Sequence, residues 1–237
     1  IEHIVIDGAS TDATIELLKE YENKGWIKFY SEKDNGVDDA YNKGTKKSTG
    51  KYIAWMNSDD CYYDEDAIKS CVEKLEENQA DYCYGKASVI DRHGKKHGTF
   101  IPRPEVFWRD MPFSHQTMLV KKSVLETLGG YNTDYGMGGD YFLVLQLILN
   151  DYKGVFVDHL IANYVLGGFS GSWDNKYRVY TCTSILAKRM TWFYKQFYPN
   201  IDEDRAQYIY WHGDDISAYP ELFLEKMIRF MIEKKLK

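Results

Sequence analysis

The chain lacks the features that mark several broad classes of protein. No stretch approaches the roughly 18 to 20 consecutive apolar residues that a membrane-spanning helix needs, and the N-terminus shows no basic leader followed by an apolar core. The 30 basic side chains are outnumbered by 36 acidic ones, so the formal net charge is −6. Surfaces that bind nucleic acid normally carry a basic surplus. The sequence therefore predicts a soluble protein that does not bind nucleic acid.

Cysteine is also scarce and is not arranged for metal binding. Cys61, Cys71, Cys83 and Cys182 are widely spaced and form no Cys-x-x-Cys pair. This spacing indicates neither a zinc site nor a disulfide framework. Reduced thiols are typical of the cytoplasm, and we expect a cytoplasmic protein.

The first part of the sequence predicts alternating strands and helices. Residues 4–6 form a β-branched run, residues 15–23 keep helical spacing, and residues 26–30 resume as a strand. These three segments predict a β-α-β unit. A short helix over 37–44 and an apolar strand over 51–56 predict a second unit of the same kind.

Further elements extend this pattern along the chain. The apolar spacing predicts a helix over 64–77, a strand over 80–90 and a hairpin strand over 95–101. A strand over 117–120 and a helix over 121–128 follow, and the helix ends at Gly129 and Gly130. A flexible loop over 136–139 then leads to a helix that begins at Asp140, and a strand over 154–157 closes the sheet. The hairpin makes the predicted sheet a mixed one. The predicted fold class is therefore α/β, with a mixed central sheet flanked by helices.

The C-terminal part of the sequence predicts helices only, over 177–197, 203–211 and 221–235. We expect residues 1–171 to form the main domain and residues 172–237 to form a helical extension. The last helix is amphipathic and basic. It either lies on an anionic membrane surface or packs against the main domain or a partner.

The segment Asn57-Ser58-Asp59-Asp60 joins an apolar strand to two adjacent acids. In open α/β sheets, ligands bind beyond the carboxyl ends of the strands, and Asp oxygens are hard ligands that suit Mg²⁺ or Mn²⁺ bound to phosphates. A simple turn explains the same residues, since Asn, Ser and Asp are common in turns. The segment alone leaves both interpretations open.

Six short segments stand out along the chain: VIDGASTD at 5–12, DNGVDDAYNKG at 34–44, NSDD at 57–60, HQ at 115–116, LGGY at 128–131 and GDY at 139–141. Taken together, they resemble the family 2 glycosyltransferases of the GT-A fold. The resemblance covers roughly residues 2–171. No single segment is decisive, and the signal comes from their order and spacing.

This resemblance implies a Rossmann-type sheet and an inverting, metal-dependent sugar transfer. The expected donor is a UDP-linked sugar. The expected acceptor is a hydroxyl group of a glycan or of a lipid-linked oligosaccharide, and the expected process is the synthesis of bacterial surface polysaccharide. The unpaired cysteines predict a place in the cytoplasm, and the basic last helix adds the option of peripheral attachment to the inner face of the membrane. Self-association into a homo-oligomer is a further expectation.

The resemblance also assigns roles to residues on the donor side. Asp7 matches the acid that contacts the uracil or ribose, and Asp39 and Asn42 lie on the helix that lines the nucleotide pocket. Ser58 and Asp59 match contacts to the ribose or metal. A solvent-facing position on the helix is an equal alternative for Asp39.

The resemblance assigns metal binding and catalysis to three acids. Asp59 and Asp60 match the DxD-type motif that holds Mn²⁺ or Mg²⁺, an ion that stabilises the charge of the departing diphosphate. Asp140 matches the general base that takes the proton of the acceptor hydroxyl. A helix N-cap is the alternative for Asp140, and the two roles are compatible with each other.

His115 and Gln116 match acceptor or donor-sugar contacts. A purely structural hydrogen bond is the alternative for His115. The stretch GGFSG at 167–171 resembles a segment that closes over the donor, and an ordinary loop explains it equally well.

The sequence departs from the family pattern in three places. Ile6 stands where many relatives carry an acid, and Gly139 stands where many carry Glu. The first strand and helix of the family have no counterpart before Glu2. We expect an unpaired edge in the middle of the sheet as a result, and with it self-association or weakened donor binding.

Two other functions compete with the transferase. A catalytically silent binding or scaffold module of a polysaccharide-synthesis complex would keep the fold without the chemistry. A sugar nucleotidyltransferase would carry a Gly-rich basic loop after its first strand, and the sequence shows no such loop.

Overall fold

The computed structural model describes residues 1–108, 110–167, 190–197, 199–211 and 233. Most of the helix predicted over 177–197, all of the helix predicted over 221–235 except residue 233, and the segment 168–171 lie outside the described residues. The proposed domain boundary after residue 171 also lies outside them and stays a prediction.

A small parallel sheet begins the fold. Strand β1 (Ile4–Asp7) pairs with β2 (Lys28–Ser31), and the register runs from Ile4 opposite Lys28 to Asp7 opposite Ser31. Helix α1 (Thr14–Asn23) connects the two strands and buries Leu18. The first predicted β-α-β unit is confirmed.

A larger mixed sheet carries the remaining strands. Its members are β3 (Tyr52–Ala54), β4 (Cys61–Tyr62), β5 (Tyr82–Ile90), β6 (Lys96–Phe100), β7 (Leu119–Lys121) and β8 (Gly154–Val165). The strand order is β3-β7-β5-β8-β4, with β6 paired to β5. Among the described strand pairs of this sheet, β5–β8 is parallel and the others are antiparallel. The predicted mixed α/β sheet is therefore confirmed.

The second predicted β-α-β unit is wrong in its pairing. Helix α2 (Val37–Lys47) leads from β2 in the small sheet to β3 in the large one, so it joins two sheets instead of crossing over one. In the described part of the chain, β1 pairs only with β2, and β3 only with β7. Among the described residues β1 is thus an edge strand of the small sheet and β3 an edge strand of the large one. The edge that the sequence predicts in the middle of one sheet stays a prediction.

Two other elements differ from the prediction. The predicted flexible loop at 136–139 is instead the end of the 3₁₀ helix Thr133–Gly138 and the first residue of a helix. Strand β8 continues to Val165 because it follows β5 along its whole length, from Tyr82 opposite Gly154 to Ile90 opposite Val165. A pairing of this length depends on the partner strand and leaves no mark in the local sequence.

Helices cover the sheets and form the core. They are α3 (Ala67–Asn78), α4 (Lys122–Leu128), α5 (Gly139–Leu149), α6 (190–195) and α7 (Glu203–Trp211). Gly129 and Gly130 follow α4 with φ values of +81° and +75°, a backbone region that favours glycine, and the predicted helix stop is confirmed. Among the helices that the structure describes, none has both the length and the apolar content needed to cross a bilayer.

Helix α5 lies at the centre of the main hydrophobic cluster. Leu143, Leu145 and Leu147 are fully buried, and burial of each side chain contributes roughly 1.5–3 kcal/mol. Phe193 of α6 and Ile209 of α7 belong to the same cluster. The first turn of α5 is therefore held on a rigid element, which matters because it carries Asp140.

Candidate active site

The loop after β3 exposes one acid and fixes the other. Ile53 and Trp55 are buried in the core, and the chain then turns, with the Asp60 N–H donating to the Asn57 carbonyl at 3.1 Å. Ser58 and Asp59 are exposed at the tip of this turn, whereas Asp60 is half-buried. The two acids of the predicted metal motif thus have different surroundings.

Asp60 is held from two sides. Its Oδ1 accepts the Val165 N–H at 2.8 Å, and its Oδ2 accepts the Gln116 side-chain amide at 2.7 Å. Burial raises the pKa of Asp60, the charge of Asp59 adds to this effect, and the two hydrogen bonds oppose it. Gln116 itself is buried and accepts a hydrogen bond from Ser114 at 2.7 Å. The structure therefore places Gln116 as a support of Asp60.

Tyr41 of α2 contacts the loop that carries Asp59 and Asp60. Burial and then the negative charges of Asp140, Asp38, Asp60 and Asp59 raise the pKa of Tyr41. Its hydroxyl donates a hydrogen bond to the side-chain oxygen of Asn57, in the loop that carries two of these acids. All four carboxylates are therefore close enough to act electrostatically on one hydroxyl group.

Aromatic rings form a wall around Tyr41. Trp55 stacks on His115 with ring centres 5.3 Å apart and an angle of 24°, and Tyr41 lies 5.1 Å from Tyr131. His115 is hydrogen-bonded through Nε2 to the Tyr131 hydroxyl. Burial lowers the pKa of His115, although the charge of Asp140 opposes this shift. The hydrogen bond and the stacking fit the structural alternative for His115, and its predicted contact with the acceptor or donor sugar stays a prediction.

Asn42 holds the turn that presents Tyr131. Its amide nitrogen donates to the Tyr131 carbonyl and its amide oxygen accepts the Tyr131 N–H, both at 2.8 Å. The side-chain oxygen lies where a Cβ at Gly130 would stand. These bonds occupy one donor and one acceptor of the amide in a structural contact.

Asp140 lies in the first turn of α5. Gly138 occupies the N-cap position, so the alternative that Asp140 caps the helix is wrong. The carboxylate accepts the Tyr141 N–H at 2.7 Å and is half-buried. A helix N-terminus favours negative charge, and the buried helix behind it fixes its direction.

Asp38 is a member of the site that the sequence reasoning missed. It is 4% exposed, and its carboxyl group lies directly over Gly139. Burial, and then the charge of Asp140, raises the pKa of Asp38 to about 7. One signal was present in the sequence, because Asp38 precedes Tyr41 by three residues and so shares its helix face.

Asp7 is buried, but it is well supplied with donors. It accepts hydrogen bonds from the Ser10 N–H at 3.0 Å and from the hydroxyls of Ser10 and Ser31. Burial acts to raise its pKa, and these hydrogen bonds outweigh burial, so that the pKa of Asp7 is lowered. Asp7 therefore stays ionised and holds the turn after β1.

Asp39 faces the start of its own helix. Its carboxylate accepts the Asn35 N–H at 3.0 Å and pairs with Lys43 at 3.3 Å. The Asn35 bond is the main cause, ahead of Lys43, that lowers the pKa of Asp39. Neither Asp39 nor Asp7 is hydrogen-bonded to Asp60 or Asp140 within the described part of the chain.

The described side chains supply only part of the ligands that a hard divalent cation needs. Asp59 and Asp60 offer carboxylate oxygens, which Mg²⁺ and Mn²⁺ prefer. Among the described residues, no group of three or more His, Cys, Asp or Glu side chains is arranged to hold a metal ion. Two carboxylates leave most of the coordination shell of such an ion to water or to the oxygens of a ligand.

Comparison with known proteins agrees with this architecture. A glycosyltransferase of PGL/p-HBAD biosynthesis from Mycobacterium bovis (strain BCG / Pasteur 1173P2) is 27% identical over 176 residues, which covers 72% of this chain and 68% of that protein. The crystal structure of S. aureus TarS 1-349 in complex with UDP-GlcNAc superposes with a TM-score of 0.61 at 15% identity and covers 98% of this chain and 71% of that one.

A third protein has the same fold. The mannosyltransferase PcManGT from Pyrobaculum calidifontis, in complex with GDP-Man and Mn²⁺, superposes with a TM-score of 0.58 at 17% identity and covers 98% of this chain and 64% of that one. These structural similarities confirm the predicted GT-A-type α/β fold. The sequence profile described as Glycosyl transferase family 2 matches residues 1–132, more than half of the 237 residues. The chain belongs to glycosyl transferase family 2.

Proposed function

We propose that the chain transfers a hexose-type sugar, with inversion, from a UDP-sugar to a hydroxyl group of a glycan or lipid-linked acceptor. The observation that carries this proposal is the contact of one helix, α2, with both acidic segments: Tyr41 donates a hydrogen bond to Asn57 in the loop of Asp59 and Asp60, and the Asp38 carboxyl group lies over Gly139, next to Asp140. The similar structures bound to UDP-GlcNAc and to GDP-Man with Mn²⁺ support a nucleotide-sugar donor and a divalent ion.

Asp59 and Asp60 form the donor side of the proposed site. With Mn²⁺ or Mg²⁺ bound, the ion supplies the positive charge that stabilises a departing diphosphate. The bonds from Val165 and Gln116 orient Asp60 before any ligand arrives. Ser58 and Asp59, exposed at the loop tip, are free to contact the ribose or the metal-bound phosphates.

Asp140 forms the acceptor side. Its carboxylate takes the proton of the attacking hydroxyl while the new bond between acceptor oxygen and anomeric carbon forms and the bond from that carbon to the diphosphate oxygen breaks. Attack from the face opposite the diphosphate inverts the configuration. One carboxylate is sufficient, because the leaving diphosphate needs charge stabilisation instead of a protonated acid.

The remaining candidates act mainly by positioning. Asp7 and Asp39 border the nucleotide from the side of the small sheet, and Asn42 fixes Tyr131 against the aromatic wall. Gln116 reaches the donor sugar through Asp60, and His115 supports the same wall. We extend the proposal to a catalytic domain over 1–171 with a helical extension over 172–237, and to a place in cell-envelope polysaccharide synthesis at the cytoplasmic face of the membrane.

A panel of nucleotide sugars with Mn²⁺ and a series of glycan and lipid-linked acceptors tests the proposal. Asp140→Asn should abolish transfer and leave UDP binding intact, whereas Asp60→Ala should weaken UDP binding that depends on Mn²⁺. Asp204→Asn, an exposed acid of α7, is the matched control. Unchanged turnover in both variants rejects the assignment, and a wild-type chain that gives no calorimetric heat with UDP and Mn²⁺ supports a silent scaffold instead.

A further inference from the structure

The start of α2 and the start of α5 meet through Asp38 and Gly139. Asp38 is the second residue of α2, and Gly139 is the first residue of α5. A Cβ placed on Gly139 would lie within 2.7 Å of Cγ and both carboxyl oxygens of Asp38. Real Cβ atoms essentially never come within 3.0 Å of such atoms. The Asp38 carboxyl group therefore occupies the space that a side chain at position 139 would need.

The carboxyl group of Asp38 is buried without full hydrogen bonding. The residue is 4% exposed, and its Oδ2 has no hydrogen-bond partner among the described residues. An ionised carboxylate in such a place would carry a large desolvation cost, so the protonated form is favoured. The result agrees with the pKa of about 7 that burial and the neighbouring Asp140 give to Asp38.

The other titratable groups around Asp38 are neutral at neutral pH. Burial raises the pKa of Tyr41 and of Tyr131, and the charges of Asp38 and Asp140 add to this effect. Burial lowers the pKa of His115, which also interacts with Asp140. Among the described residues, Asp140 is therefore the charged group that shares this site most directly with Asp38.

We propose that Asp38 is a positioning residue that acts through Asp140: its carboxyl group fills the space over Gly139 and sets the charge beside the candidate base. This inference rests on the proposed transferase function. While Asp38 holds its proton, Asp140 is next to a neutral acid. Once Asp38 loses the proton, a second negative charge lies beside the candidate base, and two like charges favour uptake of a proton by the pair.

Asp38→Asn tests this inference through the pH profile. The amide has the shape of the protonated acid and never ionises. We expect wild-type kcat/KM to show an inflection near pH 7 that the variant lacks, with transfer above pH 8 reduced about tenfold. The dissociation constant of UDP should change less than about twofold, because the donor side is untouched. A variant with the wild-type rate and the same inflection overturns the inference.

Gly139→Ala tests the same contact from the other side. The added methyl group displaces the Asp38 carboxyl group without changing its chemistry, so the inflection near pH 7 should move or vanish and the rate should fall. Gly98→Ala in β6 is the matched control, because a Cβ there has no neighbour within 4 Å. A Gly139→Ala enzyme with wild-type rate and pH profile contradicts the inference.

An NMR titration of the Asp38 side-chain carbon in the wild-type chain needs neither a variant nor activity. A midpoint near pH 7 supports the inference, and a midpoint below pH 5 overturns it. This measurement also separates the two proposals. Absence of transfer with every donor and acceptor rejects the proposed function, whereas the carboxyl midpoint alone decides whether Asp38 holds a proton beside Asp140.

Discussion

The candidate site contains two pairs of acids that the fold treats in opposite ways. In the Asp59–Asp60 pair, one acid is exposed and the other receives hydrogen bonds from Val165 and Gln116. In the Asp38–Asp140 pair, Asp38 is buried with one oxygen unpartnered. The first pair offers exposed or hydrogen-bonded carboxylate oxygens to a cation, although burial raises the pKa of Asp60. In the second pair, burial without full hydrogen bonding favours a proton on Asp38, so the two pairs differ in hydrogen bonding and not in burial alone.

The largest expected effect comes from removing the base. Asp140→Asn keeps the size of the side chain but cannot accept the acceptor proton, so kcat should fall by about 10²- to 10⁴-fold. The dissociation constant of UDP with Mn²⁺ should stay near its wild-type value. Steady-state transfer measures kcat, and calorimetry measures the dissociation constant of UDP. A weakened UDP affinity with normal kcat would place Asp140 on the donor side instead of the acceptor side.

Loss of the supported metal acid should be the next largest effect. Asp60→Ala removes a carboxylate oxygen from the donor side and leaves the Gln116 amide without its partner, and we expect a loss of about 10²- to 10³-fold in kcat/KM for the donor. The loss should be far smaller in UDP binding measured with EDTA, because no ion is then present to be held. Equal effects of the substitution with and without Mn²⁺ would contradict a metal role.

The pH dependence of the free energy of unfolding should show whether Asp38 holds a proton. Its pKa is about 7 in the folded chain against an ordinary value of 3.8, so the folded state binds this proton more tightly than the unfolded state. The stabilisation that this proton gives to the folded state is fully present below pH 4 and is lost as the pH rises to about 7. The free energy of unfolding falls by at most about 4 kcal/mol over this range.

Chemical denaturation of the wild-type chain and of Asp38→Asn at several pH values checks this stability prediction. The difference in unfolding free energy between the two chains should change between pH 4 and pH 7 and then level off. Parallel stability curves over that range would show that Asp38 is ionised throughout.

The smallest expected effect is at the support of Asp60. Gln116→Ala removes the amide that donates to Asp60 at 2.7 Å, and the lost hydrogen bond should cost about 1–3 kcal/mol of stability. Because Asp60 is then less well oriented, KM for the donor should rise more than kcat falls. The reverse pattern, with kcat falling at constant KM, would place Gln116 on the acceptor side.

Much of the fold was readable from local sequence. The first β-α-β unit, the mixed sheet and the Gly129-Gly130 helix stop follow from apolar spacing and backbone preferences, and they agree with the structure. The division into two sheets and the length of β8 depend on which distant strands pair. Such pairing is a tertiary property that no local pattern contains.

For the site, the motif order predicts that Asp59, Asp60 and Asp140 lie together, and this assignment stays a prediction. Asp38 was passed over because its burial depends on α5, far away in the sequence. The support of Asp60 by Gln116 and the hold of Asn42 on Tyr131 are likewise contacts between distant segments.

A crystal structure of the chain with Mn²⁺ and a non-transferable UDP-sugar analogue would test the central claim most directly. We predict that carboxylate oxygens of Asp59 or Asp60 coordinate the ion together with the diphosphate, and that Asp140 faces the anomeric carbon from the opposite side. Diphosphate bound away from the β3 loop, or Asp140 directed away from the sugar, would contradict the account.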